Sequence, residues 1–214
     1  EPNGILAPSC GRKYSALAPE SVAMIQFLDS VGRHDIARRA LDFFLEKQHV
    51  DGMIQNFDGH QSEPGPVLWT FAEHFRYTRD KAWLRRCAPR LLKTADYLLA
   101  WRKRNCRAEL RGKGYGLIDG QWADMKETFH AFGLNAFACR GVLAFAEVLA
   151  GILPQDAVRL KKEALMWQKD LRMAVIRSMA LAPVVPLGDG TWTSSLSPNP
   201  ERELPACLDC TKAF

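Results

Sequence analysis

Residues 115–130 contain the densest group of side chains in this chain that could do chemistry. The stretch holds Asp119, Asp124 and Glu127, with Trp122 between the first two. Hydrolysis of a glycosidic bond needs two carboxyl groups, one that protonates the leaving group and one that activates water or attacks the sugar. A partly apolar, aromatic wall raises the pKa of such an acid by desolvation. These residue types fit a carbohydrate-processing site, although ordinary loops before helices contain them as well.

Two of these carboxylates are our candidates for the catalytic pair. Asp124 is the first candidate, and it follows Trp122 and precedes an apolar segment. Glu127 is the candidate for a second catalytic or sugar-binding carboxylate. Both also fit a structural role, because Asp caps helix N-termini and a Glu three residues later completes a capping box. Asp119 could bind substrate or hold a turn with Gly120.

A second loop, residues 53–65, carries further polar side chains that could bind sugar hydroxyl groups. Its candidates are Asp58 and His60. Trp122 and Trp69 could stack on the apolar face of a pyranose ring, because C–H groups pack well against an aromatic face. Trp69 also lies at the edge of a helical stripe, where a tryptophan is more often part of the core.

The composition is that of an ordinary globular chain. Of the 214 residues, 47% are hydrophobic and 25% are charged, and the net charge is +5. Lys and Arg are spread along helical segments without interleaved aromatic residues, which argues against a nucleic-acid partner. No apolar run approaches the roughly 18 residues of a membrane span, so we expect no membrane partner. The chain begins with Glu1, which suggests processing or a longer parent chain.

The cysteines and histidines predict no metal site. Cys207 and Cys210 form a single Cys-x-x-Cys pair, whereas a four-thiolate zinc site needs two such pairs. The sequence has no Gly-rich phosphate loop and no His-x-x-x-His spacing. We therefore expect neither a metal nor an organic cofactor.

Six amphipathic or apolar segments must position the candidate side chains. Their patterns predict helices at about residues 19–31, 35–50, 66–78, 80–103, 132–149 and 154–175, with a kink or restart of the fourth at Pro89. The fifth is apolar on almost every side, which predicts complete burial. No run alternates convincingly with a period of two, so no sheet is expected. We divide the chain into an extended lead-in (1–19), a helical domain (20–182) and an irregular C-terminal segment (183–214).

The predicted helices follow a repeating pattern. A helix ends, a short turn brings Asp35, Asp80 or Asp156, a second helix follows, and a glycine-bearing loop closes the unit. Such repetition is typical of stacked helical hairpins. The pattern predicts an all-α fold of three antiparallel hairpins, with an inner layer of more apolar helices and an outer layer of more polar ones.

Three stretches make the chain resemble the six-hairpin glycosidases, the (α/α)6-toroid superfamily that includes glucoamylases, trehalases and debranching-type glucosidases. They are the Glu63-Pro-Gly-Pro-Val-Leu-Trp69 helix entry with the Tyr-Thr-x-Asp turn at 77–80, the Gly116-Leu-Ile118 segment with the acidic loop to Asp124, and Asn135. The resemblance implies an active site on loops that join an outer helix to the next inner helix. It also implies that Asp124 is the general acid and that Glu63 binds sugar hydroxyls in the cleaved subsite. Three hairpins make only part of a toroid, so the second catalytic carboxylate is expected in the remainder of a longer parent chain.

The function that the sequence favours is glycoside hydrolysis of an oligo- or polysaccharide by carboxylate acid/base catalysis. One alternative is a catalytically silent helical scaffold that binds a glycan or a protein. A second alternative is a toroid polysaccharide lyase or unsaturated uronyl hydrolase. Such an enzyme would favour clusters of Arg, His and Tyr over paired acids.

Overall fold

The computed structural model describes residues 4–9, 15–121 and 128–201. These residues are mostly helical, which confirms the predicted all-α class. In chain order, the six α-helices of the described residues are α1 (Ala18–Ser30), α2 (His34–Glu46), α3 (Pro64–Thr78), α4 (Lys81–Arg104), α5 (Phe132–Leu149) and α6 (Pro154–Leu181). A short 3-10 helix, Ala108–Leu110, follows α4.

Proline and aspartate mark several helix starts. Prolines lie in the first turns of α1, α3 and α6, where the missing N–H group has no intrahelical partner to lose. The Asp80 carboxylate caps α4 by accepting a 2.9 Å hydrogen bond from the backbone N–H of Trp83. α4 then continues through Pro89, so the predicted restart does not occur. The loss of one backbone hydrogen bond at Pro89 is tolerated because Leu84 and Leu91 bury this part of the helix in the core.

The helices form three consecutive hairpins. Short connections join α1 to α2, α3 to α4, and α5 to α6, and such connections place the two helices antiparallel. The first helices of the hairpins also pack on one another: α3 contacts α1 on one side and makes its most extensive contact with α5 on the other. α1, α3 and α5 therefore form a central layer. α2, α4 and α6 each pack on their hairpin partner, and their outer faces are more exposed.

Small residues let α3 and α5 approach each other closely. A Cβ atom added at Gly65 would lie 2.6 Å from the Cα atom of Ala138, and one added at Gly141 would overlap the carbonyl of Gly65. Contacts this short are sterically forbidden, so each helix presents a bare backbone to the other at the crossing. The closest contact of the central layer thus depends on two glycines that lie inside helices.

α5 is the helix that the sequence predicts as buried on all sides. It has 18 residues with a mean hydropathy of 1.4, which is long and apolar enough to span a membrane by length and composition alone. That finding corrects the expectation that no run approaches the length of a span. Two thirds of the helix, 67%, is buried inside the protein, as in the core helix of a globular fold, so its burial is less complete than the sequence predicts.

The described residues also contain two short antiparallel strand pairs, although the sequence predicts no sheet. β1 (Gly120–Gln121) pairs with β2 (Thr128–Phe129), and β3 (Val184–Pro186) pairs with β4 (Trp192–Ser194). Strands of two or three residues are too short to show an alternating pattern, so periodicity does not detect them. The β1–β2 pair brings together the residues that flank positions 122–127, where the sequence has Asp124 and Glu127. The β3–β4 pair lies in the segment expected to be irregular.

Candidate functional site

The long loops of the fold meet at one end of the helical layers. The loop of residues 47–63 precedes α3, and the loop of residues 105–131 precedes α5. They touch where the backbone N–H of Gln121 donates to the side-chain oxygen of Gln61 at 2.9 Å. The Asn56 side chain of the first loop donates to the carbonyl of Ala16, just before α1. Of the described candidates, Asp58, His60, Glu63 and Asp119 thus lie on loops that gather at the N-terminal ends of α1, α3 and α5.

Glu63 is fully buried, and its carboxylate holds three segments together. One oxygen accepts hydrogen bonds from the backbone N–H groups of Asn56 at 2.6 Å and Phe57 at 3.3 Å. The other accepts from the backbone N–H of Ala18 at 3.3 Å, at the start of α1. Desolvation raises the pKa of Glu63, although these hydrogen bonds oppose the rise. The geometry gives Glu63 a structural role, and its contact with a sugar stays a prediction.

Asp119 is half-buried and is likewise bound by neighbouring side chains. Its Oδ1 atom accepts hydrogen bonds from the amide of Asn105 at 2.6 Å and from the indole of Trp101 at 3.2 Å. Burial acts to raise the pKa of this carboxyl. The hydrogen bonds and the Coulombic influence of His130 outweigh burial and hold the pKa below its ordinary value. Asp119 therefore favours the ionised form, which suits an anchor of the loop and does not suit a general acid.

The other described candidates lie apart from one another. Asp58 is exposed, whereas His60 is buried against the ring of Phe57, with 5.4 Å between ring centroids. Trp69 is half-buried on α3, and its indole N–H donates to Glu73 at 2.9 Å. The guanidinium of Arg140 lies over the Trp69 ring at 5.6 Å. Stacking of a sugar on Trp69 would have to replace that contact.

The remaining candidates lie outside the described residues. These are Asp124, the expected general acid, with Glu127 and Trp122. The structure describes the residues on either side of them, where Gln121 and Thr128 face each other across the β1–β2 pair. The paired cysteines of the C-terminal segment, Cys207 and Cys210, also lie outside the described part of the chain.

Asn135 fixes the loop before α5 to the helical layers. Its side-chain oxygen accepts hydrogen bonds from the backbone N–H of Ile118 at 2.8 Å and the indole of Trp167 at 2.9 Å. Its amide donates to the carbonyls of Ile118 and Ala131, both at 2.9 Å. All four hydrogen-bonding positions of this buried amide are used. The residue is thus a structural link between the loop, α5 and α6.

A group of cations that the sequence did not single out lines two cavities beside this loop. Arg111 and Lys113 belong to the loop, and Arg177 belongs to the C-terminal half of α6. Arg111, Lys113 and Arg177 lie outside the helices that the sequence predicts, and no sequence motif groups them. Their convergence depends on the packing of α6 against the loop, which no local spacing reveals.

Asp29, His34 and His74 form the group of described residues that could hold a metal ion. The Nδ1 atoms of His34 and His74 lie 2.8 and 2.9 Å from one Asp29 oxygen, and the three ligand atoms lie within 4.8 Å of one another. Arg38 donates to Nε2 of His74 at 3.4 Å, so the His74 proton resides on Nδ1 and points to Asp29. A metal on Nδ1 would require a proton on Nε2, facing the Arg38 donor.

This arrangement therefore fits a hydrogen-bonded clamp between α1, α2 and α3 better than a metal centre. Asp29 and His74 are completely buried, which makes their pairing a requirement of the fold. The cluster lies near the C-terminal ends of α1 and α3, at the end of the layers away from the loops. Sequence reasoning missed it because its three members belong to three different helices.

A comparison of the sequence with protein-family models and with curated proteins finds no match.

Proposed function

We propose that the chain is part of an (α/α) toroid and hydrolyses an oligo- or polysaccharide by carboxylate acid/base catalysis. The observation that carries this proposal is the alternation of the helices. α1, α3 and α5 pack side by side, each followed by an outer antiparallel partner, and the loops from outer to inner helices gather at one end. A ring built in this way has its site at the loop end, where Glu63 and Asp119 lie.

Exposed apolar side chains on the first and third hairpins support an extension of the ring. Phe27 of α1 is 64% exposed, and α6 presents a series of apolar residues to solvent. A further helical hairpin on either side would cover them, and large exposed apolar areas are typical of such contacts. The α6 residues are Val158, Leu165, Met166, Met173, Ile176, Met179 and Leu181.

In the proposed reaction, Asp124 protonates the glycosidic oxygen as the bond to the sugar breaks. Glu127, or a carboxylate of another part of the ring, activates water or attacks the anomeric carbon. The β1–β2 pair holds Gln121 opposite Thr128, and these two residues flank the stretch that contains Asp124 and Glu127. Gln61 and Gln121, which touch across the two loops, offer amide groups near the same place for sugar hydroxyls.

The test is hydrolysis of a panel of neutral and acidic oligosaccharides by the full-length protein and by two variants of it. Asp124→Asn should lower turnover by about 10²-fold or more, because the amide cannot donate a proton to the leaving group. The matched control is Asp35→Asn, which removes an exposed carboxyl at the other end of the layers. Circular dichroism should show the same helicity for both variants. Turnover by Asp124→Asn equal to that of Asp35→Asn would contradict the assignment.

A second candidate function is suggested by the residues around the loop of residues 105–131. The guanidinium of Arg111 lies over the ring of Tyr115 at 5.0 Å, and the His130 ring lies against Gly114. Arg, Tyr and His groups of this kind favour a lyase or uronyl hydrolase that acts on acidic sugars. In a lyase, a base removes the proton next to the carboxylate, the C–O bond to the leaving sugar breaks, and a C=C bond forms.

A lyase and a glycoside hydrolase differ in their products. A lyase product carries a new C=C bond that absorbs ultraviolet light, whereas hydrolysis incorporates one water molecule and gives a saturated reducing end. Mass spectrometry of the products in ¹⁸O-labelled water separates them. Binding of a glycan without turnover would instead favour the third interpretation of the sequence, a silent binding scaffold.

A further inference from the structure

Two adjoining cavities open between the loop before α5 and the C-terminal half of α6. Their volumes are about 370 and 300 Å³, and they share Arg111, Gly112 and Arg177 in their walls. Cavities of this size accommodate small ligands such as a sugar unit. The larger cavity is also lined by Lys113 and by Ser197, which precedes the end of the described chain.

Among the described residues, the charges around the cavities are unbalanced. Asp170 and Glu201 line them, but Asp170 forms an ion pair with Arg102, and Glu201 accepts a hydrogen bond from the backbone N–H of His130 and contacts its ring Nδ1. Arg111, Lys113 and Arg177 form no ion pair with a carboxylate of the described residues. Arg111 and Arg177 therefore line both cavities and Lys113 lines the larger one, while the two described carboxylates there already have other partners.

The geometry holds two of these cations in defined places. The guanidinium of Arg177 lies so close to Gly112 that a Cβ atom added there would be 3.1 Å from its central carbon. The guanidinium of Arg111 stacks on the Tyr115 ring. Ser197 is buried, and its hydroxyl has no hydrogen-bond partner among the described residues. A buried hydroxyl without a partner is costly unless a ligand provides one.

We propose that these cavities bind the anionic group of an acidic sugar, either the carboxylate of a uronic acid or a sulfate ester. A guanidinium presents two parallel N–H donors that match the oxygens of both groups, and the Ser197 hydroxyl supplies a further donor. The cavities lie on the loop that carries Asp119 and leads to Asp124. This inference rests on the proposed function, and it specifies the substrate of that function as an acidic glycan.

The test measures dissociation constants by NMR titration with glucuronic acid, glucose 6-sulfate and glucose. At least one acidic sugar should bind more tightly than glucose, and its affinity should fall as sodium chloride is added. The variant Arg177→Gln should weaken that binding by about tenfold or more, because a charge-assisted hydrogen bond is lost. Comparison of the two acidic sugars shows whether the carboxylate or the sulfate ester is the ligand.

The matched control is Arg172→Gln, which makes the same change of charge on an exposed position of the same helix. Its affinity should stay within about twofold of that of the unmodified protein. Binding of glucose as tight as that of both acidic sugars would overturn the proposal, as would no binding of any of the three. Equal losses in Arg177→Gln and Arg172→Gln would overturn it as well.

The outcomes also separate this inference from the proposed hydrolysis. Hydrolysis of neutral glycosides that depends on Asp124, without binding of either acidic sugar, would support the proposed hydrolase and refute the anion site. Binding of an acidic sugar that depends on Arg177, without turnover of any glycan, would support the anion site and refute the proposed hydrolase.

Discussion

Glu63 shows how one side chain can look like a ligand for substrate and serve the fold. Its position at the start of α3 fits a sugar-binding carboxylate, and its Glu-Pro-Gly-Pro context fits a plain helix entry as well. The structure engages both oxygens with backbone N–H groups from two other segments. Ala18 lies 45 residues away in sequence, so no local pattern could have predicted this contact.

Replacement of Glu63 by Gln should destabilise the protein by about 1–3 kcal/mol at neutral pH. In the variant, the NH₂ group of the Gln side chain would face a backbone N–H group that donates to the Glu63 carboxylate in the unmodified protein. That N–H group would lose its hydrogen-bond acceptor. The matched control is Glu109→Gln at an exposed position, which should leave the free energy of unfolding unchanged. Urea denaturation measures both, and equal stabilities of the two variants would contradict the structural role.

The destabilisation by Glu63→Gln should also depend on pH. Desolvation raises the pKa of Glu63 above 4.5, so the folded state binds this proton more tightly than the unfolded chain. The contribution of the Glu63 carboxyl group to the free energy of unfolding is therefore fully present below its pKa in the unfolded chain. It declines as the pH rises through its pKa in the folded protein. The free energy of unfolding of the unmodified protein should exceed that of Glu63→Gln by more at about pH 5 than at about pH 8. A difference that grows with pH would contradict this sign.

At the scale of the helices, the contact between α3 and α5 depends on the absence of side chains. Ala is favoured over Gly inside a helix by about 1 kcal/mol, so Gly→Ala substitutions there often stabilise a protein. Gly141 is an exception, because a methyl group at this position would overlap the Gly65 carbonyl of α3.

Gly141→Ala should therefore destabilise the protein by about 1–3 kcal/mol, because the two helices must move apart. The matched control is Gly151→Ala, since a Cβ atom at Gly151 would meet no atom within 4 Å. The urea midpoint of this control should equal that of the unmodified protein. A stabilised Gly141→Ala variant would show that helix propensity outweighs the contact.

The helices themselves could be predicted because their physical signals are local. Residues 132–149 are apolar on almost every side, and the structure has α5 at Phe132–Leu149. The end of α6 could not be predicted, because the apolar stripe fades near Val175 while the helix continues to Leu181 as a largely exposed segment. The cavity of Arg111 and Arg177 is a tertiary property and leaves no signal in either segment.

For the molecule as a whole, the layered arrangement predicts an order of local stability. α3 packs against α1, α2, α4 and α5, and α5 packs against α3 and α6. β4 is fully exposed, and the last turns of α6 are mostly exposed. Local opening costs least where few apolar contacts break, and it costs most where opening disrupts the common core.

Hydrogen–deuterium exchange should therefore be slowest in α3 and α5 and fastest in the β3–β4 pair and the last turns of α6. Gly141→Ala should accelerate exchange in α3 and α5 together, because both helices depend on the same close contact, whereas Gly151→Ala should leave both unchanged. Exchange in α5 as fast as in the end of α6 would contradict the central position of α5. Acceleration of α5 alone would show that the two helices do not open as one unit, and the central layer would then lack the cooperativity expected of a shared core.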